Sequence, residues 1–249
     1  TTGIRNTLIG GKTGDEVTTG EGNVAVGYES LGETTIGDDN VAIGNFALHT
    51  NVDGSRNVAV GRSALLLMEP STESSTYNTA VGYAAGTAVT TGLKNTLMGG
   101  LAGDALTTGG NNVATGYLSL SADTLGSHSV ALGIQALRRQ NFTTATNAYN
   151  VAIGSDAGTH VTTGVENTLI GGLAGDALTD ADFNTAVGQG ALSADTLGSK
   201  STAIGQNALS AQNFTTATDS FNTAVGFRAG FAVTTGIRNT LIGGLAGDA

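Results

Sequence analysis

The sequence predicts an all-β protein, a parallel β-solenoid of about fourteen coils. Three observations predict it: a pentad that recurs along the whole chain, glycines at fixed places within each repeat, and the absence of any helical apolar period. The pentad Asn-(Thr/Val)-(Ala/Leu)-(apolar)-Gly begins at Asn6, Asn23, Asn40, Asn57, Asn78, Asn95, Asn112, Ser129, Asn150, Asn167, Asn184, Ser201, Asn222 and Asn239. The spacings run 17, 17, 17 and 21 residues and then repeat, a superperiod of 72. Longer identities follow the same period: Leu120 to Ser127 and Leu192 to Ser199 both read LSADTLGS, and NFTTAT occurs at Asn141 and again at Asn213.

Each repeat is numbered here from the first residue of its pentad, and the repeats are coils 1 to 14. A short run of β-branched and small residues closed by Gly is a strand that ends in a corner. The corner residues are Gly10, Gly27, Gly44, Gly61, Gly82, Gly99, Gly116, Gly133, Gly154, Gly171, Gly188, Gly205, Gly226 and Gly243. At such a site a positive φ, or a close approach of backbone, excludes a Cβ. In the ten complete 17-residue repeats position 15 is a second glycine site, with Ala181 as its exception. Seventeen residues are too few for a strand-helix-strand unit. They suffice for one coil that stacks on the last in parallel register, about 4.8 Å per coil, or roughly 65 Å for the whole rod. In-register stacking places like residue over like, so the recurrent Asn at position 1 is expected to form an amide ladder.

Alternation then predicts an assembly. Side chains at positions 2 and 4 point to one face of the strand and those at 3 and 5 to the other. Positions 3 and 4 are both apolar, yet one coil has a single interior, so the second face needs cover from another copy of the chain. The expectation is that Ala80, Ala152 and Ala224 at position 3, or their neighbours at positions 2 and 4, meet partner chains. Charged residues avoid positions 1 to 5 altogether. Five basic residues, Arg5, Arg56, Lys94, Lys200 and Arg238, stand immediately before a pentad, where solvated corners paired with nearby acids are expected.

Composition narrows the function. The chain has 249 residues, 39 of them Gly, with one Pro, no Cys and no Trp. Its formal charge of −10 argues against a nucleic-acid partner, whose phosphates demand clustered Lys and Arg. The same charge argues against docking on an anionic membrane. The longest apolar run, near Ala64 to Met68, is far short of the ~20 residues of a bilayer-spanning helix, so no membrane insertion is expected. Residues 1–249 are expected to form a single repetitive shaft, and because both ends fall inside a repeat, a segment of a longer chain.

The runs Asn78-Thr79-Ala80-Val81-Gly82-Tyr83 and Asn184-Thr185-Ala186-Val187-Gly188 resemble the NTAIGYxAL repeats of phage tail fibres and bacterial surface fibres, which often end in a chaperone-of-endosialidase domain. Asn40-Val41-Ala42-Ile43-Gly44 is also similar to the SVAIG repeats in the heads of trimeric autotransporter adhesins. The resemblance covers essentially the whole chain. It implies a left-handed β-roll, a homotrimer, and an extracellular adhesive fibre shaft on a virion tail or a bacterial cell. The partners it implies are further copies of the chain and a cell-surface glycan or protein receptor. Adhesin heads have shorter repeats than 17 and 21 residues.

No enzyme chemistry stands out, and no catalytic residue, metal or cofactor is expected. His49, His128 and His160 fall at different repeat positions and make no metal-spaced set. Nucleophile-elbow and phosphate-loop patterns do not occur. Gly99 to Leu106 and its copy at Gly171 to Leu178 resemble a calcium nonapeptide only loosely, and their Asp is better explained as a turn residue bonding its own backbone. A tailspike-like glycan depolymerase would need paired carboxylates across a cleft, whereas the acids here are scattered. Thr-Thr-Gly turns suggest an ice-binding array, but Ile36, Asp53, Leu125 and Phe142 interrupt it.

Every fourth coil carries four extra residues. These insertions are expected to bulge outward, with the aromatic before the next pentad (Tyr77, Tyr149 or Phe221) folding back as a plug. The candidate binding residues they would present are Asn141, Phe142, Thr143, Asn213, Phe214 and Thr215.

Overall fold

The computed structural model describes residues 3–70 and 72–248. It is an all-β parallel solenoid. Fourteen three-residue strands, from Thr7–Ile9 to Thr240–Ile242, form one continuous sheet in chain order. Every pairing is parallel and in register, with pentad over pentad: Val151 lies against Thr168, Ala152 against Leu169 and Ile153 against Ile170. The turns between strands hydrogen-bond from coil to coil as well. The N–H of Asp156 donates to Ile134 in the coil before, and that of Gly158 donates to Ala174 in the coil after.

Positive φ recurs at positions 5, 7, 9 and at the residue before each pentad. Gly154 at position 5 has φ 137, and a Cβ there would lie 2.6 Å from the carbonyl carbon and oxygen of Gly171 in the next coil. Conformation and close stacking therefore both require glycine. At position 15 only the stacking does: a Cβ on Gly20 would sit 2.6 Å from the Gly37 oxygen without any positive φ. The other left-handed sites hold ordinary residues, such as Leu31 (φ 49) and Arg56 (φ 62), held there by the intercoil hydrogen bonds.

The core is a single file along the axis. Position 3 points inward in every coil, and Ala80, Ala152 and Ala224 are fully buried within their own chain. Of the two options for a partner-facing row, this removes position 3 and leaves positions 2 and 4. Positions 2 and 4 form the outer face, and their residues are Thr, Val, Ile, Leu and Met.

The position 1 asparagines of the inner coils are buried beside that core, and their amides bond mainly to backbone; direct amide-to-amide bonds join some rungs, as Asn57 to Asn40 at 3.2 Å and Asn167 to Asn150 at 3.3 Å. Asn167 Oδ1 accepts the backbone N–H of Asn184 in the next coil at 3.0 Å. Its Nδ2 donates to the Ala181 carbonyl at 2.7 Å, across its own coil. An Asn of this kind staples one coil shut and carries the next, as Asn23, Asn95 and Asn184 also do.

Candidate interaction surfaces

The insertions rejoin the solenoid quickly. Gly126–Ser127 pairs in parallel with Thr146–Asn147, and Gly198–Ser199 with Thr218–Asp219. Asn141, Thr143, Asn213 and Thr215 are exposed there. Phe142 and Phe214 are instead buried, at 5% and 7% exposure, and present nothing to solvent. The expected plug is also reversed, because Tyr77, Tyr149 and Phe221 stand about half exposed. Phe142 and Phe214 turn inward because a buried carboxylate draws in their backbone. Asp123 accepts from the N–H of Phe142 at 3.2 Å, from that of Gly126 at 3.0 Å, and from Gln140 Nε2 at 2.6 Å. Gln140 Nε2 also reaches Ser129 Oγ, and its oxygen accepts from Asn150. Asp195, Gln212, Ser201, Phe214 and Asn222 repeat the arrangement one superperiod on. A polar relay through the core therefore anchors each of these two insertions, in the two coils whose position 1 is Ser in place of Asn. The first insertion puts Pro70 over Gly54, as the third puts Phe214 over Gly198.

Of the five basic residues before pentads, Arg5 pairs with Glu21 at 2.7 Å, Arg56 with Asp39 at 3.8 Å and Lys200 with Asp219 at 2.6 Å. All are solvent-exposed pairs of the weak kind. Among the described residues, Lys94 and Arg238 have no acidic partner within ion-pair distance.

Asp104 and Asp176 occupy the turn after the glycines of the GGLAGDAL motif. Each has one buried carboxylate oxygen with no hydrogen-bond partner, and burial pushes both carboxyls above the usual range. Among the described residues, no group of three His, Cys, Asp or Glu gathers closely enough to hold a metal ion. At position 13 the Thr hydroxyls bond the next coil, as Thr107 does with the Thr124 carbonyl at 3.0 Å, so they are engaged within the solenoid.

The remaining surface of note is the outer face of the long sheet. It runs through fourteen strands and carries no charged residue at position 2 or 4. Its exposed members include Ile43, Met98, Ile153, Ile204 and Ile242, and Tyr28, Tyr83, Tyr117, Ile134 and Phe227 border it at position 6. No family model, curated protein or solved structure matches this chain.

Proposed function

We propose that the chain is a structural rod that self-associates through the outer face of its sheet, as the shaft of an extracellular, adhesive homotrimeric fibre. The observation that carries this reading is the uncharged outer face itself. The chain has a formal charge of −10, yet it keeps every charge off a surface fourteen strands long. At ~4.8 Å per strand and ~3.3 Å per residue, the three-residue strands alone offer on the order of 600 Å². The rows beside them bring this to roughly the 800 Å² per partner of a stable interface. The surface is a ladder of β-branched ridges repeating at the coil step. The partner that matches that repeat over the whole length is another copy of the same solenoid, set alongside. Three copies is the number implied by the resemblance to fibre and adhesin repeats, as is the extracellular setting.

Sedimentation equilibrium tests the reading. The wild-type chain should sediment as a trimer. Ile153→Lys and Ile204→Lys, which alter exposed outward residues, should release a folded monomer with unchanged circular dichroism. A wild-type chain that stays monomeric at high micromolar concentration would sink the proposal.

A further inference from the structure

We propose that the file of residues preceding each pentad is a binding track for an extended acidic polysaccharide lying along the solenoid axis. From bottom to top the file runs Arg5, Gly22, Asp39, Arg56, Tyr77, Lys94, Asn111, His128, Tyr149, Glu166, Phe183, Lys200, Phe221 and Arg238. All the non-glycine members share one left-handed conformation, with φ between 50 and 63. Outside the insertions their backbones are also fixed to the coil before, as Arg56 N–H is to Asp38 and Lys200 N–H to Asp182, both at about 3 Å; after each insertion the residue ahead of the aromatic makes that bond, as Thr76, Ala148 and Ser220 do to Ser55, Ser127 and Ser199. Equal conformation in stacked coils projects the side chains in parallel, one coil step apart.

The chemistry of the file alternates. Tyr77 lies between Arg56 and Lys94, Phe221 lies between Lys200 and Arg238, and Phe183 lies one coil below Lys200. The Arg56 guanidinium sits 5.9 Å from the Tyr77 ring centre, Lys200 Nζ sits 5.4 Å from that of Phe221, and the His128 and Tyr149 rings are 5.1 Å apart. The four aromatic rings remain 46–51% exposed, which leaves ring surface open beside a cation. Near three of these rings a polar group takes part: Ser75 with Arg56, Asn147 with His128 and Asp219 with Lys200.

Linear charge density selects the ligand. Arg56 and Lys94 are two coils apart, and so are Lys200 and Arg238, about 9.6 Å at ~4.8 Å per coil. An acidic polysaccharide with one carboxylate per disaccharide carries its charges at a comparable interval. Its sugar rings offer C–H faces to the aromatic rings that stand between the cations. A nucleic-acid strand places a charge every ~3.4 Å, which this single file does not match. Asp39 and Glu166 break the file and make segments of the track, and Asp219 holds Lys200 only through an exposed pair that a bound carboxylate would replace.

This inference is independent of self-association, because it uses the edge file and not the outward strand positions. Calorimetric titration of the whole chain with a hyaluronan oligosaccharide tests it, with an uncharged chitin oligosaccharide of equal length and oligo(dT) as comparisons. Hyaluronan should bind, and should weaken steeply with added salt. Lys94→Ala with Arg238→Ala, and separately Tyr77→Ala with Phe221→Ala, should each weaken it at least tenfold while sedimentation stays as in the wild type. The proposal is overturned by no binding of hyaluronan, by equal binding of the neutral oligosaccharide, or by tighter binding of oligo(dT). It is also overturned if these variants change the assembly state, because the file would then be a self-association surface.

Discussion

Replacing Asn167 by Ala removes one rung of the asparagine ladder in the middle of the rod, and its cost follows from the bonds it makes. Asn167 is fully buried. Its Oδ1 satisfies the N–H of Asn184, and its Nδ2 satisfies the Ala181 carbonyl. Alanine leaves both backbone groups buried without a partner, at about 1–3 kcal/mol each. The expected destabilisation is therefore about 2–6 kcal/mol. Asn239→Ala, in the last described coil, is the internal control. Asn239 is only partly buried, and its Nδ2 bonds Asn222 Oδ1 while no described coil lies above to use its own oxygen. Its loss should cost less than about 1.5 kcal/mol, the value of one ordinary hydrogen bond. Because coils contact only their neighbours, stability is local, so the assay is native-state hydrogen exchange as well as denaturant unfolding. Protection should fall in coils 9 to 11 for Asn167→Ala and in coils 13 and 14 for Asn239→Ala. Equal effects of the two substitutions would refute the argument, since burial and bonding would then not set the cost.

Further outcomes follow from the same geometry. Gly154→Ala should cost at least about 1–3 kcal/mol for its backbone conformation alone, plus the clash with Gly171; Gly243→Ala has φ 126 and nothing within 4 Å of the new Cβ, so its thermal melt should shift less. Gln140→Leu should destabilise by about 1–3 kcal/mol through unpaired Asp123 and Ser129, and restoring Ser129→Asn in the same chain should recover only the Ser129 share; full recovery in denaturant unfolding would show that Asp123 is indifferent to its amide partner. For pH, burial raises the carboxyls of Asp104, Asp176, Asp182 and Glu69. A raised folded-state value means stability gained as pH falls from neutral through those values toward the unfolded ~4. The melting temperature should rise over that window, the rise should shrink in Asp104→Asn with Asp176→Asn, and a fall in the wild type over the same window would contradict the burial assignment.

The repeat, the parallel register and the corner glycines were legible because each leaves a chemical mark at a fixed spacing. Gly154 is glycine for two independent reasons, so it is invariant in this chain's own repeats. The facing of position 3 was not legible, since Ala and Leu at 3 and Val or Ile at 4 are all apolar, and composition alone does not say which turns inward. Two buried asparagine bonds settle it: position 1 points in, so position 3 does too. The left-handed sites at positions 7 and 9 and before each pentad were less legible because Leu, Arg and Tyr hold many of them, so the glycines that do occur there, such as Gly158 and Gly175 at position 9, do not form an unbroken file. In the insertions, Phe142 and Tyr149 are both aromatic, and alternation cannot be counted through an irregular segment. The signal that separates them is Asp123, the same position in the preceding coil as Gln140, which pulls the Phe142 backbone inward.

The core also explains why the outer face is regular. Coils with Ala at position 3 and Leu at position 9, such as coil 3 with Ala42 and Leu48, fill the interior from one side. Coils with Leu at position 3 have Gly at position 9, and a Cβ on Gly175 would lie 2.7 Å from Leu169 of its own coil. Coils 5, 9 and 13 are small at both positions. Their space is taken by leucines from above and below: a Cβ on Gly158 would meet Leu169 at 2.7 Å and Leu137 at 3.1 Å. Volume is therefore conserved along the axis although no single coil conserves it. An interior of constant bulk keeps the coils from tilting against one another, because close-packed atoms transmit any excess or void directly to the backbone. Position 4 side chains then stand in an even row from Ile9 to Ile242, and each added coil extends a possible interface by the same increment.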